Sequence, residues 1–370
     1  MVGLAWYVLP NTAAGIALGL AGHAVVWSAV SSKAFCGQSH YCDVQIAKLA
    51  QNAFWVSALV VWVGFLLSTF AKFATAREYA LREWRHATRA YFYFAPLIVL
   101  ILLCLGMPPA LKRKTLSLRT ALFSICLASQ LIMASVVYAR WLRPPKSEKK
   151  TNQLGSAKPP FLLSTIGWPL LTLLAQQVHF ERRFGVDVGS MTLGAGVALY
   201  ALAFVSIFQA SVESEPALFL LIAPPCAIAL AIAGYGGFGP APKALLGFAL
   251  ALLAVFAKLG PTLLGAPSVL GVYWAYVFPL AALATAAVRA AEFDDSRGSR
   301  GLAWTLVALA TATLILVAAR MAAHCRAVAG GQKRWADPLL EDSRRQGPEA
   351  TKAGDDDLEL SKREHISRDT

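Results

Sequence analysis

The sequence predicts an all-α integral membrane protein with ten transmembrane helices, and composition, block length and the absence of alternation carry that prediction. Of 370 residues, 57% are hydrophobic and only 15% charged, whereas soluble domains carry about 25% charge. Mean hydropathy is +0.54. The apolar residues fall in blocks of roughly 18–24 residues, the length that crosses a bilayer core as a helix. Short strands of alternating polarity, the mark of an outer-membrane barrel, are absent.

The ten segments are 12–32, 50–71, 91–108, 117–139, 161–179, 189–210, 216–237, 241–260, 267–290 and 301–322. The first resembles a signal peptide in length. No basic stretch precedes it, and it carries His23 and Trp27 without a clear cleavage site, so it reads as a spanning helix. The second runs into a loop, 72–90, where Arg77, Arg82, Arg85 and Arg89 alternate with Glu78 and Glu83 at helical spacing. An amphipathic extension is expected there, with Glu78 and Arg82 placed to pair. A basic loop, 140–160, separates the fourth and fifth segments. Gly/Pro-rich turns, YGGFGPAP and KLGPTLLGAP, separate the seventh from the eighth and the eighth from the ninth. Such short links make antiparallel hairpins. Three regions follow: a short N-terminus, 1–11; a membrane domain, 12–322; and a tail, 323–370, whose polar composition predicts disorder.

Ten spans put both termini on one side. If that side is the cytosol, its inter-helix loops hold 12 Lys and Arg, the opposite loops hold 12, and the tail region holds 10. The excess, with the two longest basic loops, puts both termini in the cytosol.

Proline is not spread evenly among the segments. Pro96, Pro169, Pro224 with Pro225, and Pro279 fall in the third, fifth, seventh and ninth, and the first is rich in glycine, including Gly19. Proline removes a backbone hydrogen bond and kinks a helix. In a membrane, backbone freed in this way needs a protected or wet surround. The odd helices are therefore candidates for an inner, pore-lining layer and the even ones for a lipid-facing layer. Packing alone also tolerates such prolines.

No acidic residue lies deep in a block, which disfavours a proton-coupled pump. It also removes the carboxylate rings expected of a cation channel. His23 is the deepest titratable group and a candidate pore-lining residue. Kinked-helix dipoles and a basic rim suit anions, and Arg77, Arg82, Arg85, Arg89 and Lys258 are the candidate cytosolic rim charges. The formal net charge of +13 sits between apolar blocks. Anionic lipid headgroups explain it, and no nucleic-acid partner is implied. Cys36 and Cys42 share the loop after the first helix, where they can form a disulfide or, with His40, contribute to a metal site; the disulfide is the simpler reading. No enzyme signature, phosphate loop or cofactor motif is present.

Five stretches resemble the plant guard-cell slow anion channel family, with its bacterial tellurite-resistance and fungal malic-acid-transporter relatives. They are GIALGLAGHAVVW (15–27), HATRAYFYFAP (86–96), KPPFLLSTIGWPLLTLLAQ (158–176), EPALFLLIAPPCAIA (215–229) and YWAYVFPLAALATAA (273–287). The resemblance implies five hairpins around a pseudo-five-fold pore, lined by the odd helices, in a homotrimer. It also implies that Phe278, just before Pro279, is the pore gate. Trp168 departs from the glycine-asparagine pair of close plant relatives and is a further pore-lining candidate. The long N-terminal region of the plant channels has no counterpart before the first helix, so control by a regulatory kinase would fall on tail sites such as Ser343, Ser361 and Ser367. The resulting expectation is passive transport of chloride, nitrate or small organic acids such as malate, by default across the plasma membrane. A proton-coupled C4-dicarboxylate transporter and a non-conducting scaffold or sensor are the alternatives.

Overall fold

The computed structural model describes residues 14–36, 43–85, 89–142, 159–209, 216–265, 274–294 and 296–329. Every element among them is helical. In chain order the α-helices are α1 (Ala14–Val30), α2 (Lys33–Cys36), α3 (Val44–Thr75), α4 (Arg77–Arg85), α5 (Ala95–Leu105), α6 (Pro109–Lys114) and α7 (Leu116–Leu142). Then come α8 (Leu162–Gln177), α9 (Phe180–Phe184), α10 (Val188–Gln209), α11 (Ala223–Gly236), α12 (Pro240–Gly265), α13 (Trp274–Asp294) and α14 (Arg297–Ala329). Among the described residues, seven helical stretches are long and apolar enough to cross a membrane, and Ala14–Val30 and Ala90–Leu105 are shorter apolar helices.

Two kinds of helix emerge from burial. About 83% of the apolar window of α13 is buried, against 11% in α3, and α1, α5, α8 and α11 resemble α13. These five pack in sequence: α1 on α5, α5 on α8, α8 on α11, α11 on α13, and α13 back on α1. The packing closes a ring. Outside it, α3 lies against α1 and α5, α7 against α5 and α8, α10 against α8 and α11, and α12 against α11 and α13. The outer helices turn large apolar side chains outward, among them Leu49, Val60, Leu67 and Phe70 of α3. A face of that kind, without a partner, suits lipid.

The five inner helices run in the same direction. At one end, Tyr91 before α5 meets Phe161 before α8, and Phe219 before α11 meets Tyr276 of α13. At the other end, Gln176 of α8 donates to the Ala231 carbonyl of α11, and Ser32 after α1 donates to Glu292 of α13. The N-termini thus share one end of the ring and the C-termini share the other.

The prolines sort into two classes. Pro169 and Pro279 lie inside α8 and α13. Pro96 and the Pro224–Pro225 pair sit in the first turn of α5 and α11, each after a 3₁₀ stretch (Arg89–Phe94 and Pro216–Ile222). There the missing N–H costs nothing and the fixed φ suits the start of an α-helix. The turn expected around Gly260–Pro261 is displaced: α12 continues through both to Gly265.

The extension after the second segment exists, but as the separate helix α4, set off by a break at Ala76. Its ion pair bridges that break: the Lys72 ammonium meets Glu83 at 2.9 Å, both side chains being 1% exposed. The Arg82 side chain, and with it the expected pair with Glu78, lies outside the described residues.

Candidate functional site

The most extensive packing in the ring is between α1 and α13. Gly19 and Gly22 are one turn apart on α1, and Trp274, Val277, Phe278 and Ala281 lie over them. A Cβ at Gly19 would stand 2.9 Å from both Trp274 Cε3 and Val277 Cγ1. At Gly22 it would stand 3.1 Å from Ala281 Cβ and 3.4 Å from Phe278 Cδ2. The glycines therefore let α13 settle onto α1 and form the bed on which the Phe278 ring rests. Phe278 is 2% exposed. The next residue, Pro279, donates no backbone hydrogen bond, so α13 is loosened one residue beyond the phenyl ring. Half-buried Ala275 and Ala282 mark the neighbouring strip of α13.

His23 is fully buried, with Nδ1 3.0 Å from the Gly19 carbonyl oxygen, and its ring packs 5.4 Å from that of Phe54 on α3. Nε2 comes near the Ala310 carbonyl of α14 without reaching hydrogen-bond geometry. His23 thus sits on the flank of α1 that meets outer helices. Trp168 starts from the flank of α8 facing α10, where a Cβ at Gly196 would lie 3.2 Å from Trp168 Cβ, and its indole N–H is buried without an acceptor. Neither residue meets Phe278 in a described contact. The Thr172 hydroxyl, one turn beyond Trp168, donates to the Gly189 carbonyl at 3.1 Å and lies 2.9 Å from the Thr192 hydroxyl, tying α8 to α10 past the proline.

Arg77 and Lys258 are exposed on helix ends. The side chains of Arg85 and Arg89, like that of Arg82, lie outside the described residues. So do the tail serines Ser343, Ser361 and Ser367, as well as Cys42. Cys36 is disulfide-bonded, while Cys104, Cys126, Cys226 and Cys325 are free thiols. Among the described residues no three metal-ligating side chains come together.

Sequence reasoning missed a second polar cluster, at the C-terminal end of the ring. Arg119, on the first turn of α7, is 3% exposed, and its Nη2 donates to Gln177 Oε1 at 2.6 Å. Lys112 of α6 is near enough to Arg119 and Arg289 to be affected by both. Burial first, and then those two guanidinium groups, push its ammonium down to about 8. Arg289 of α13 donates to Glu292 at 2.7 Å, and Ser32 donates to the other oxygen of that carboxylate. The run Lys112-Arg113-Lys114 is visible in the sequence, but only folding shows which of the three turns inward.

Residues 9–322 match the family described as voltage-dependent anion channel. Three Arabidopsis thaliana proteins are similar over about four-fifths of the chain. The guard cell S-type anion channel SLAC1 is 27% identical over 312 residues, covering 82% of this chain and 53% of that protein. The S-type anion channel SLAH2 is 25% identical, covering 83% and 57% respectively. The S-type anion channel SLAH3 is 26% identical, covering 82% and 46%. The chain thus spans about half the length of these relatives.

Proposed function

Because the chain belongs to the voltage-dependent anion channel family, we propose that it is a passive, gated conduit for anions such as chloride, nitrate or small organic acids like malate. In this reading ten helices span the membrane as five hairpins. The ring of α1, α5, α8, α11 and α13 lines the conduit, and the shorter α1, α5 and α8 are spans completed by their flanking turns. Phe278 is the gate. The observation that carries the reading is the closed ring of five parallel, buried helices with a phenyl ring lodged on glycine where α1 meets α13.

Charge supports passive anion flow. The inner helices contain no acidic residue before Glu292, near the end of α13, so a deep carboxylate relay is missing. The aligned N-termini direct positive partial charge at one mouth. The disulfide at Cys36 supports an oxidising outer side for the loop after α1, and hence cytosolic termini. A homotrimer in the plasma membrane, with kinase control through the tail, completes the proposal.

Voltage clamp of the purified protein in planar bilayers tests it, comparing wild type with Phe278→Ala. The expected result is a large, linear anion current released by the substitution. No current at any voltage, together with stoichiometric proton-coupled malate uptake, would overturn it in favour of a secondary transporter.

A further inference from the structure

We infer that the C-terminal end of the helix ring carries a built anion-binding site, formed by Arg119, Lys112 and Arg289 beside Gln177, which takes one small anion or the phosphate of a lipid headgroup. Along α13, Arg289 stands 11 residues beyond Phe278, about 16 Å at the helical rise. The site is thus distinct from the proposed gate, and it binds whether or not the ring conducts.

The case begins with uncompensated charge. Arginine cannot shed its proton in a protein, yet Arg119 is 3% exposed. Its one described partner is a neutral amide oxygen, Gln177 Oε1 at 2.6 Å, and its Nε is buried with no acceptor. Among the described residues the ion pairs are Lys72–Glu83, Lys243–Asp294 and Arg289–Glu292. Neither Lys112 nor Arg119 has a carboxylate. Burying a cation is costly unless an anion meets it, and among the described residues no carboxylate meets Lys112 or Arg119. Glu292 is already held between Arg289 and Ser32.

Neutralising helix C-termini does not by itself explain these cations. The carbonyls of Leu103 and Gly106, at the end of α5, already accept from Trp55 Nε1 at 2.8 Å and Gln51 Nε2 at 3.0 Å. The aligned C-termini do make this end of the ring negative, the wrong sign for an anion. Three cations from three elements reverse that sign locally.

Chloride-35 NMR line broadening tests the site, using the full chain in phosphatidylcholine nanodiscs. Wild type is expected to show saturable excess broadening. Lys112→Met and Arg119→Gln are each expected to weaken chloride binding about tenfold, the worth of one charge-assisted hydrogen bond; Lys112→Arg keeps it. Lys112 is half-buried, so Lys112→Met remains informative if Arg119→Gln fails to fold. Arg119, Arg289 and, through Arg289, Glu292 are the charged groups described around Lys112. As pH rises through about 8, the Lys112 ammonium loses its proton and wild-type binding weakens. Lys112→Arg stays flat over the same range. If a lipid phosphate fills the site, chloride broadening is absent in all variants. Native mass spectrometry of the detergent-solubilised protein incubated with phosphatidylglycerol then finds that lipid retained by wild type and Lys112→Arg but lost from Lys112→Met. Equal broadening in wild type and Lys112→Met, or charge-independent lipid retention with no broadening, would overturn the site. Since no flux is measured, failure here is separable from failure of the conduit.

Discussion

Lys72 and Glu83 form the most deeply buried ion pair among the described residues, 2.9 Å apart. It fixes α4 to the end of α3 across the break at Ala76. Removing one member of such a pair leaves the other buried without its counter-charge. Lys72→Met is therefore expected to destabilise the protein by about 3–5 kcal/mol, read as a lowered unfolding midpoint in detergent. The double substitution Lys72→Met with Glu83→Leu should recover most of the loss, because a buried pair replaced by apolar side chains is often near neutral. An unchanged midpoint for Lys72→Met would contradict the pair's role. The pairing also shows where sequence reasoning stops at this scale. Glu78 and Arg82 are four apart and satisfy a helical rule, whereas Lys72 and Glu83 meet only because the chain breaks between them. Arg289 lies 170 residues beyond Arg119 in the chain, so only the folded ring brings it near enough to Lys112 to act on it.

At the scale of the helix, the seat of α13 on α1 depends on Gly19 and Gly22. A Cβ at Gly19 would press on Trp274 and Val277 at 2.9 Å. Gly19→Ala is therefore expected to cost about 1–3 kcal/mol by overpacking. Gly64→Ala on α3 is the control, since a Cβ there meets nothing within 4 Å, and alanine is about 1 kcal/mol the better helix former. Equal unfolding midpoints for the two variants would contradict the close approach. Hydropathy alone located most helices, because a bilayer-length apolar block is a strong signal. Glycine in the first segment and proline in the other odd segments also separated the inner helices from the outer ones. What proline could not show was its position within a helix. Pro96, Pro224 and Pro225 begin α-helices after 3₁₀ stretches, while Pro169 and Pro279 interrupt them. That distinction depends on where the first α-turn closes, which packing decides. Likewise α12 runs past Pro261, although the missing N–H there takes one i−4 bond out of the helix.

For the whole molecule, five parallel inner helices leave the ring electrically polar. Its N-terminal end is positive by geometry, and its C-terminal end is made positive locally by side chains. An anion path needs that sign at both ends, whereas a scaffold needs it at neither. The candidate site was legible in part. The block 273–287 drew attention to Phe278 through a family resemblance, while the glycine bed beneath it and the second cationic cluster required the packed ring. His23, singled out as the deepest titratable group, and Trp168, singled out as a departure from the family pattern, lie on flanks that meet outer helices, and a sequence does not reveal which flank a residue occupies until neighbouring helices are placed. The most direct measurement is the reversal potential of the Phe278→Ala current in bilayers with unequal potassium chloride on the two sides. A passive anion conduit gives reversal at the chloride equilibrium potential, unmoved by a superimposed proton gradient. Reversal at the potassium potential, or a shift that tracks the proton gradient, would contradict it.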